Sequence, residues 1–338
     1  MNKNPNIEGI YEVCIGITEP LSMIQYWQQF GYRIGQIGEL TAPMANNLYG
    51  VNSNLRSIRL YHQDVDHGLI RLMVWDKPTN EGLQMISMRV LGNRWVTSLT
   101  ADVLNILNHA EDGKLAGLPI KYTFPQWEII YKMDKGRPFI DPAVGVREMM
   151  LLQLLTRQVL FQRFNYTIPK YGQINHTSTF KTSQFTNAGM IVQDDSKETL
   201  QFYEDVLGLL RSRDNSETSY ESSQAARQIF DLQPGEKFTV TTFDDPRSST
   251  NWEEARSGRM YIIRFPEQIN LHSCFDKSQP GCLGMSLYTY RVNDIKYYFD
   301  IVNNSAATKI TDIVDNEFGE KSFSFVAPDS YFWNLISK

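Results

Sequence analysis

A strand, a tight turn and an amphipathic helix follow one another at four places along the 338 residues. In the plainest copy, a strand is predicted over residues 187–192 and a helix over residues 195–208. Five residues of that helix recur at helical spacing: Leu200, Phe202, Tyr203, Val206 and Leu207. Gly208 stands where a left-handed residue ends a helix. Repetition of one such unit restricts the chain to folds that are assembled from copies of it.

The other three copies complete four modules. Their first strands are predicted over 11–17, 95–100 and 287–295, and their helices over 21–30, 101–110 and 296–303. The four modules end in apolar strands over 67–75, 145–152, 258–265 and 331–336. Residues 127–132 form a further candidate strand, and residues 155–164 have a helical pattern. We therefore expect an N-terminal pair of modules over 1–165, a linker over 166–184 and a C-terminal pair over 185–338.

The pairs Phe202–Tyr203 and Leu207–Gly208 lie in a helix that directly follows a strand. This arrangement resembles the opening of a module in the vicinal oxygen chelate superfamily, which includes glyoxalases, bleomycin-resistance proteins and extradiol dioxygenases. The resemblance covers most of the chain and implies an α+β fold in which four βαβββ modules pair into two cup-shaped half-barrel domains. It also implies a divalent metal in a cup, held by a His of a first strand and a Glu of a last strand.

Aligning the four modules shows which residues stand at the metal-ligand positions of that family. The first-strand positions hold Glu12, Trp95, Asn187 and Leu287, and the last-strand positions hold Arg71, Glu148, Ile262 and Asn334. No histidine is among these eight residues, whereas the Fe(II) of an extradiol dioxygenase needs two His and one carboxylate. We therefore expect the chain to hold no metal and to use no cofactor.

The N-terminal cup is the predicted site. The residues expected on its inner surface are Glu12, Arg71, Glu148, Trp95, Met73 and Met150. We assign Glu12 and Glu148 as catalytic groups, because a carboxyl that is desolvated beside another carboxylate has a raised pKa. Arg71, Trp95, Met73 and Met150 are assigned to substrate binding. The alternative is a structural salt bridge, in which Arg71 lies between two glutamates.

Three classes of function fit such a cup. We favour a metal-independent acid–base enzyme of the cyclase, lyase or isomerase type that acts on a hydrophobic or aromatic small molecule in secondary metabolism. The first alternative is a metal-free protein that binds a small molecule and confers resistance. The second is a divergent extradiol-type dioxygenase whose ligands lie elsewhere in the sequence.

Composition limits the partners. A net charge of -5 and a pI near 5.6 provide no basic surface for nucleic acid. No run of eighteen apolar residues is present, so we expect no membrane span. Three scattered cysteines are too few for a disulfide framework, which favours a reduced, cytoplasmic setting. The expected partner is a small, aromatic substrate, and a homo-oligomer is an open alternative.

Overall fold

The computed structural model describes residues 6–132, 143–193, 200–248 and 251–337. In chain order the strands are β1 (Ile7–Ile17), β2 (Tyr32–Leu40), β3 (Leu55–His62), β4 (Leu69–Trp75), β5 (Arg94–Thr100), β6 (Lys121–Tyr122), β7 (Gln126–Lys132), β8 (Ala143–Leu152), β9 (Arg157–Phe164), β10 (Thr182–Val192), β11 (Leu210–Ser219), β12 (Lys237–Asp244), β13 (Arg259–Arg264), β14 (Gly284–Val292), β15 (Val314–Asp315), β16 (Lys321–Val326) and β17 (Phe332–Ser337). The α-helices are α1 (Pro20–Gln29), α2 (Ala42–Tyr49), α3 (Val103–Leu115), α4 (Gln224–Ile229) and α5 (Ile295–Asn303).

Two large sheets contain these strands. The first has the order β15-β16-β17-β14-β1-β4-β3-β2, and the second has the order β11-β12-β13-β10-β5-β9-β8-β6, with β7 also on β8. In every module the first and last strands are parallel neighbours, and two modules join in each sheet through their antiparallel first strands. The fold is therefore α+β, with four modules of βαβββ type paired into two curled half-barrels, as predicted.

The modules pair in a different order from the one that the sequence predicts. Strand β1 pairs with β14 and β5 pairs with β10, so the first module joins the fourth and the second joins the third. Each sheet thus draws strands from both halves of the chain, and the division into residues 1–165 and 185–338 does not describe the sheets. The recurring pattern identifies the modules, but four similar apolar first strands do not reveal which pairs of them hydrogen-bond.

The second module also has a different last strand. Residues 157–164, predicted as helical, form β9, which pairs in parallel with β5. Residues 145–152 lie in β8, the third strand of the module. Val159 and Phe161 point to one face of the sheet and Leu160 to the other, so the run is a strand that is apolar on both faces.

The helix predicted over residues 195–208 is described only from Leu200 onward, and residues 195–199 of that prediction lie outside the described residues. The described part contains a π-helical turn over Phe202–Val206. Gly208 has a φ of 70°, the left-handed conformation that the sequence predicted.

The outer, convex faces of the two sheets share one hydrophobic core. Val13 of β1, Val96 of β5, Met190 of β10 and Tyr288 of β14 all belong to it. The Tyr288 hydroxyl donates to backbone carbonyls of the other sheet, at 2.8 Å to Trp95 and 2.7 Å to Gly189. Among the described residues, no helix is long and apolar enough to cross a membrane.

Candidate functional site

The concave face of the first sheet, called the first cup, carries a buried ion cluster. Glu12 of β1 lies between Arg59 of β3 and Arg71 of β4, and all three residues have no exposed surface. Arg59 Nε lies 2.9 Å from Glu12 Oε2, and Arg71 donates to Glu12 Oε1. Burial raises the pKa of Glu12, but the charges of Arg59 and Arg71 bring it down to about 2. Glu12 is therefore a carboxylate near neutral pH and donates no proton.

A loop from the fourth module closes this cluster. Arg71 Nη1 lies 3.2 Å from Glu317 Oε1, and Arg59 Nη2 lies 2.8 Å from Glu320 Oε2. The Phe318 ring covers Arg59, with its centroid 4.0 Å from the guanidinium carbon. Arg71 does lie between two glutamates, as the structural alternative expected, but the second glutamate is Glu317 and not Glu148.

The rest of the first cup is filled by the short helix α2. Met73 is fully buried in one cluster with Cys14, Tyr49 and Trp75. The Tyr49 hydroxyl donates to Glu317 Oε2 at 2.9 Å, which joins α2 to the closing loop. Arg71 and Met73, predicted to bind substrate, are thus occupied by contacts within the protein.

The other predicted site residues lie in the second sheet. Trp95 of β5 and Met150 of β8 are buried on its concave face, the second cup, in a cluster with Ile229 of α4 and with Phe230. The Trp95 and Phe230 ring centroids are 5.7 Å apart. Trp95 and Met150 therefore form a small core beneath α4. Glu148 does not approach Glu12 or Arg71, because β8 belongs to the other sheet, and the prediction that the three converge is wrong.

Glu148 lies on a part of the second cup that is only partly buried. It faces Phe161 of β9 on one side and Gln126 of β7 on the other. Burial, and then the negative charge of Glu128, raise the pKa of Glu148 to about 8. Glu128 is held in place by hydrogen bonds from Ser223 Oγ and the Ala225 amide. Glu148 is therefore mostly protonated at neutral pH.

Tyr166 lies near this carboxyl, and Arg163 lies further along the same face of the sheet. Arg163 is two residues beyond Phe161 on β9 and therefore shares its face. Its guanidinium carbon lies 5.4 Å from the Tyr166 ring centroid and 5.1 Å from that of Tyr171. Burial raises the pKa of Tyr166, the charge of Arg163 and its hydrogen bond lower it, and Glu148 adds a smaller upward effect. Tyr166 therefore lies within electrostatic reach of both Glu148 and Arg163.

A second polar group completes the wall of the second cup. Tyr171 donates its hydroxyl proton to Asn187 of β10, and Arg259 of β13 pairs with Asp244 of β12. The Arg259 guanidinium carbon is 5.3 Å from the Tyr171 ring centroid and 6.0 Å from that of Tyr261. This partly buried floor of the second cup is therefore aromatic and cationic, with one protonated carboxyl.

The sequence pattern does not predict these polar residues of the second cup, for two reasons. Arg163 was placed in a predicted helix, and Tyr166 and Tyr171 were placed in a predicted linker. The available signal was an alternation in β9, where Val159, Phe161 and Arg163 share one face.

His67 has a role that the sequence did not suggest. Its Nδ1 lies 2.6 Å from Asp66 Oδ1, and its Nε2 lies 2.5 Å from Ser257 Oγ. Asp66, His67 and Ser257 thus follow one another as the acid, base and nucleophile of a serine hydrolase do. Ser257, however, has no exposed surface and also accepts a hydrogen bond from Gln184 Nε2. A substrate has no access to Ser257, so the three side chains join the first module to the third.

Structural comparison finds two solved structures that are similar to this chain over nearly its whole length. Glyoxalase I from Zea mays gives a TM-score of 0.52 at 12% identity, over 98% of this chain and 92% of that chain. A putative dioxygenase from Bacillus subtilis subsp. subtilis str. 168 gives a TM-score of 0.55 at 11% identity, over 98% of this chain and 86% of that chain. No family model and no curated protein matches the sequence.

The chain has the vicinal oxygen chelate fold. At identities this low the similarity shows the fold alone, and the activities of the two enzymes do not transfer with it.

The donor set of this vicinal oxygen chelate fold does not fit a metal. The observed strand register puts Glu12, Arg71, Leu287 and Asn334 at the equivalent positions of the first cup. It puts Trp95, Val159, Asn187 and Tyr261 at those of the second cup. Tyr261 replaces the predicted Ile262, which is buried under the convex face. In the part of the chain that the structure describes, no three His, Cys, Asp or Glu residues gather as a metal site.

Proposed function

We propose that the chain is a metal-independent acid–base enzyme of the cyclase, lyase or isomerase type, with its site in the second cup and Glu148 as its proton donor. The supporting observation is a protonated carboxyl that lies partly buried on the concave face of a sheet. A general acid is most effective when its pKa lies near the working pH, and Glu148 meets this condition.

A single protonated carboxyl can complete such a reaction without a cofactor, because it first gives a proton and then takes one back. Glu148 gives its proton to a basic atom of the substrate, such as a departing hydroxyl or a double-bonded carbon, and becomes a carboxylate. A proton lost from a neighbouring carbon then returns to Glu148. The net result is loss of water or migration of a double bond, with no oxidant or reductant consumed. The Arg163 and Arg259 guanidinium groups supply positive charge nearby for an anion that develops during the reaction.

Glu12 has no part in this proposal. Its carboxylate is fully buried between two arginines and its pKa is about 2, so it lacks both a proton to give and access to a substrate. The assignment of Glu148 as catalytic is retained from the sequence, and its partner groups are new.

Turnover tests the proposal. The protein is incubated with a panel of small aromatic and hydrophobic acids, alcohols and enones, and products that are isomeric, dehydrated or cyclised are sought by mass spectrometry. We expect a product that Glu148→Gln abolishes, because glutamine keeps the shape of the side chain but gives up no proton. Glu236→Gln is the control, since Glu236 forms a partly buried ion pair with Arg89 and has no contact with Glu148 among the described residues. Turnover that survives Glu148→Gln contradicts the proposal.

A metal-free binding protein is the second candidate. The three tyrosine rings and two guanidinium groups around the cup favour it, because they can hold an aromatic ligand without any proton transfer. Such a protein binds its ligand stoichiometrically and returns it unchanged, and Glu148→Gln then leaves the amount bound unaltered.

A further inference from the structure

Arg163 differs from most half-buried arginines of this chain in its partners. Six others each pair with a carboxylate: Arg89 with Glu236, Arg211 with Glu204, Arg247 with Asp245, Arg256 with Asp66, Arg259 with Asp244 and Arg291 with Glu8. Within the described ranges, no carboxylate contacts the guanidinium of Arg163. Within the same ranges Arg147 and Arg227 also lack such a partner. Arg147 lies on the opposite face of the sheet, over Trp127 and Phe164, and Arg227 donates two hydrogen bonds to the Tyr220 carbonyl oxygen.

The surroundings of Arg163 leave its charge incompletely compensated. Its neighbours are the rings of Tyr166 and Tyr171 and the hydroxyl of Tyr166. Cation–π contacts offset only part of the cost of removing a cation from water, and an anion that joins the cation offsets the rest. A half-buried guanidinium among tyrosines is therefore prepared for an anion from outside the chain.

The position of Arg163 sets where that anion lies. Phe161 is directly opposite Glu148 across β8 and β9, and Arg163 is the next residue on the same face. Arg163 and Glu148 are diagonal neighbours, so their Cβ atoms are separated by about 7–8 Å. A ligand that contacts both spans the Phe161 side chain, and an aromatic ring packs well there.

We propose that Arg163 binds the carboxylate of the ligand of the second cup, so that the substrate is a small aromatic acid whose ring lies over Phe161. This inference rests on the proposed function for its site and adds the class of the substrate. The planar guanidinium donates two parallel hydrogen bonds to the two oxygens of a carboxylate. A neutral amide of the same shape offers one oxygen and no charge, so it loses most of this interaction.

Binding of a matched pair of probes tests the inference. The probes are 4-hydroxybenzoate and 4-hydroxybenzamide, and their dissociation constants are measured by ligand-observed NMR on the full chain at pH 7. We expect wild-type protein to bind the acid at least tenfold more tightly than the amide. Arg163→Met should abolish this preference, and Arg163→Gln serves as a second variant if the first fails to fold. Arg147→Met is the matched control and should keep the preference.

Two results overturn the inference. One is a wild-type protein that binds acid and amide equally or binds neither, and the other is a preference that survives in folded Arg163→Met or Arg163→Gln. Glu148→Gln separates this inference from the proposed function, because it should keep the preference for the acid while it loses turnover. If the Arg163 variants keep the preference for the acid while turnover depends on Glu148, only the assignment of an aromatic acid as substrate is wrong. If the Arg163 variants lose the preference for the acid while turnover does not depend on Glu148, only the proposed acid–base function of Glu148 is wrong.

Discussion

Arg71 of β4 donates a hydrogen bond to Glu12 of β1, and neither side chain has any exposed surface. These two residues stand at ligand positions of the first cup, where a cation and a carboxylate neutralise each other. Glu317, in the fourth module, forms a second ion pair with Arg71, so the ion cluster joins the two ends of the chain. The first cup is thereby a structural centre, and the proposed ligand site lies in the second cup.

Breaking this cluster should destabilise the fold. Glu12→Gln leaves Arg59 and Arg71 without their shared carboxylate, and loss of one partner of a buried ion pair costs about 3–5 kcal/mol. Urea denaturation monitored by circular dichroism measures the loss. Glu320→Gln is the control and should cost less, because the Glu320 side chain is 24% exposed. Equal unfolding midpoints for wild type and Glu12→Gln contradict the structural role.

Acid should remove the contribution of Glu12. The pKa of Glu12 falls from an ordinary 4.5 to about 2 on folding, so its stabilisation is complete above pH 4.5 and is lost as the pH falls through 2. The difference in unfolding free energy between wild type and Glu12→Gln should therefore be smaller at pH 2.5 than at pH 6. A difference that stays constant over this range is the opposing result.

Glu148 should make the stability of the fold depend on pH in the opposite direction to Glu12. Its pKa is raised from 4.5 to about 8, so the folded chain holds a proton that the unfolded chain has lost between these values. Stability from this group therefore falls as the pH rises from 4.5 to 8, with a slope of at most about 1.4 kcal/mol per pH unit. Glu148→Gln lacks this slope, so its stability relative to wild type should increase from pH 5 to pH 8. A pH-independent difference between the two proteins argues against the raised pKa.

The closing loop of the first cup should depend on a glycine. A Cβ on Gly38 of β2 would stand 1.7 Å from the Glu317 carbonyl oxygen, which is backbone and cannot turn away. Gly38→Ala should therefore lower the unfolding midpoint by displacing the loop from Arg71. Gly113 of α3 is the control, because its added Cβ would meet only the ends of the Ile120 and Leu118 side chains, and alanine favours a helix. The account is contradicted if Gly38→Ala melts at or above the temperature of Gly113→Ala.

Strand parity explains what could be predicted from the sequence. In β1, Val13 and Ile15 alternate with Glu12 and Cys14, so the concave face of the first cup was predicted in the correct register. The same alternation in β4 placed Arg71 on that face. Local pattern was sufficient here because each strand is apolar on one face and carries polar residues on the other.

For a strand that is apolar on both faces, the hydrophobic pattern alone does not identify the strand or its register. Residues 159–161 of β9 are consecutively apolar, and such runs do not distinguish a strand from a buried helix. Ile262 and Ile263 of β13 are adjacent and buried on opposite faces, which produced the one-residue error in the third module. The pairing of modules and the closure of the first cup by Glu317 depend on contacts between distant segments, so no local pattern reveals them.

The protonation state of Glu148 tests the central claim most directly. Carbon-13 NMR of glutamate-labelled protein follows each side-chain carboxyl against pH, and the Glu148 resonance is the one missing from Glu148→Gln. The account predicts a midpoint near pH 8 for this carboxyl. A midpoint near the ordinary value of about 4.3 means that Glu148 is an ionised surface carboxylate, and the acid–base site in the second cup is then wrong.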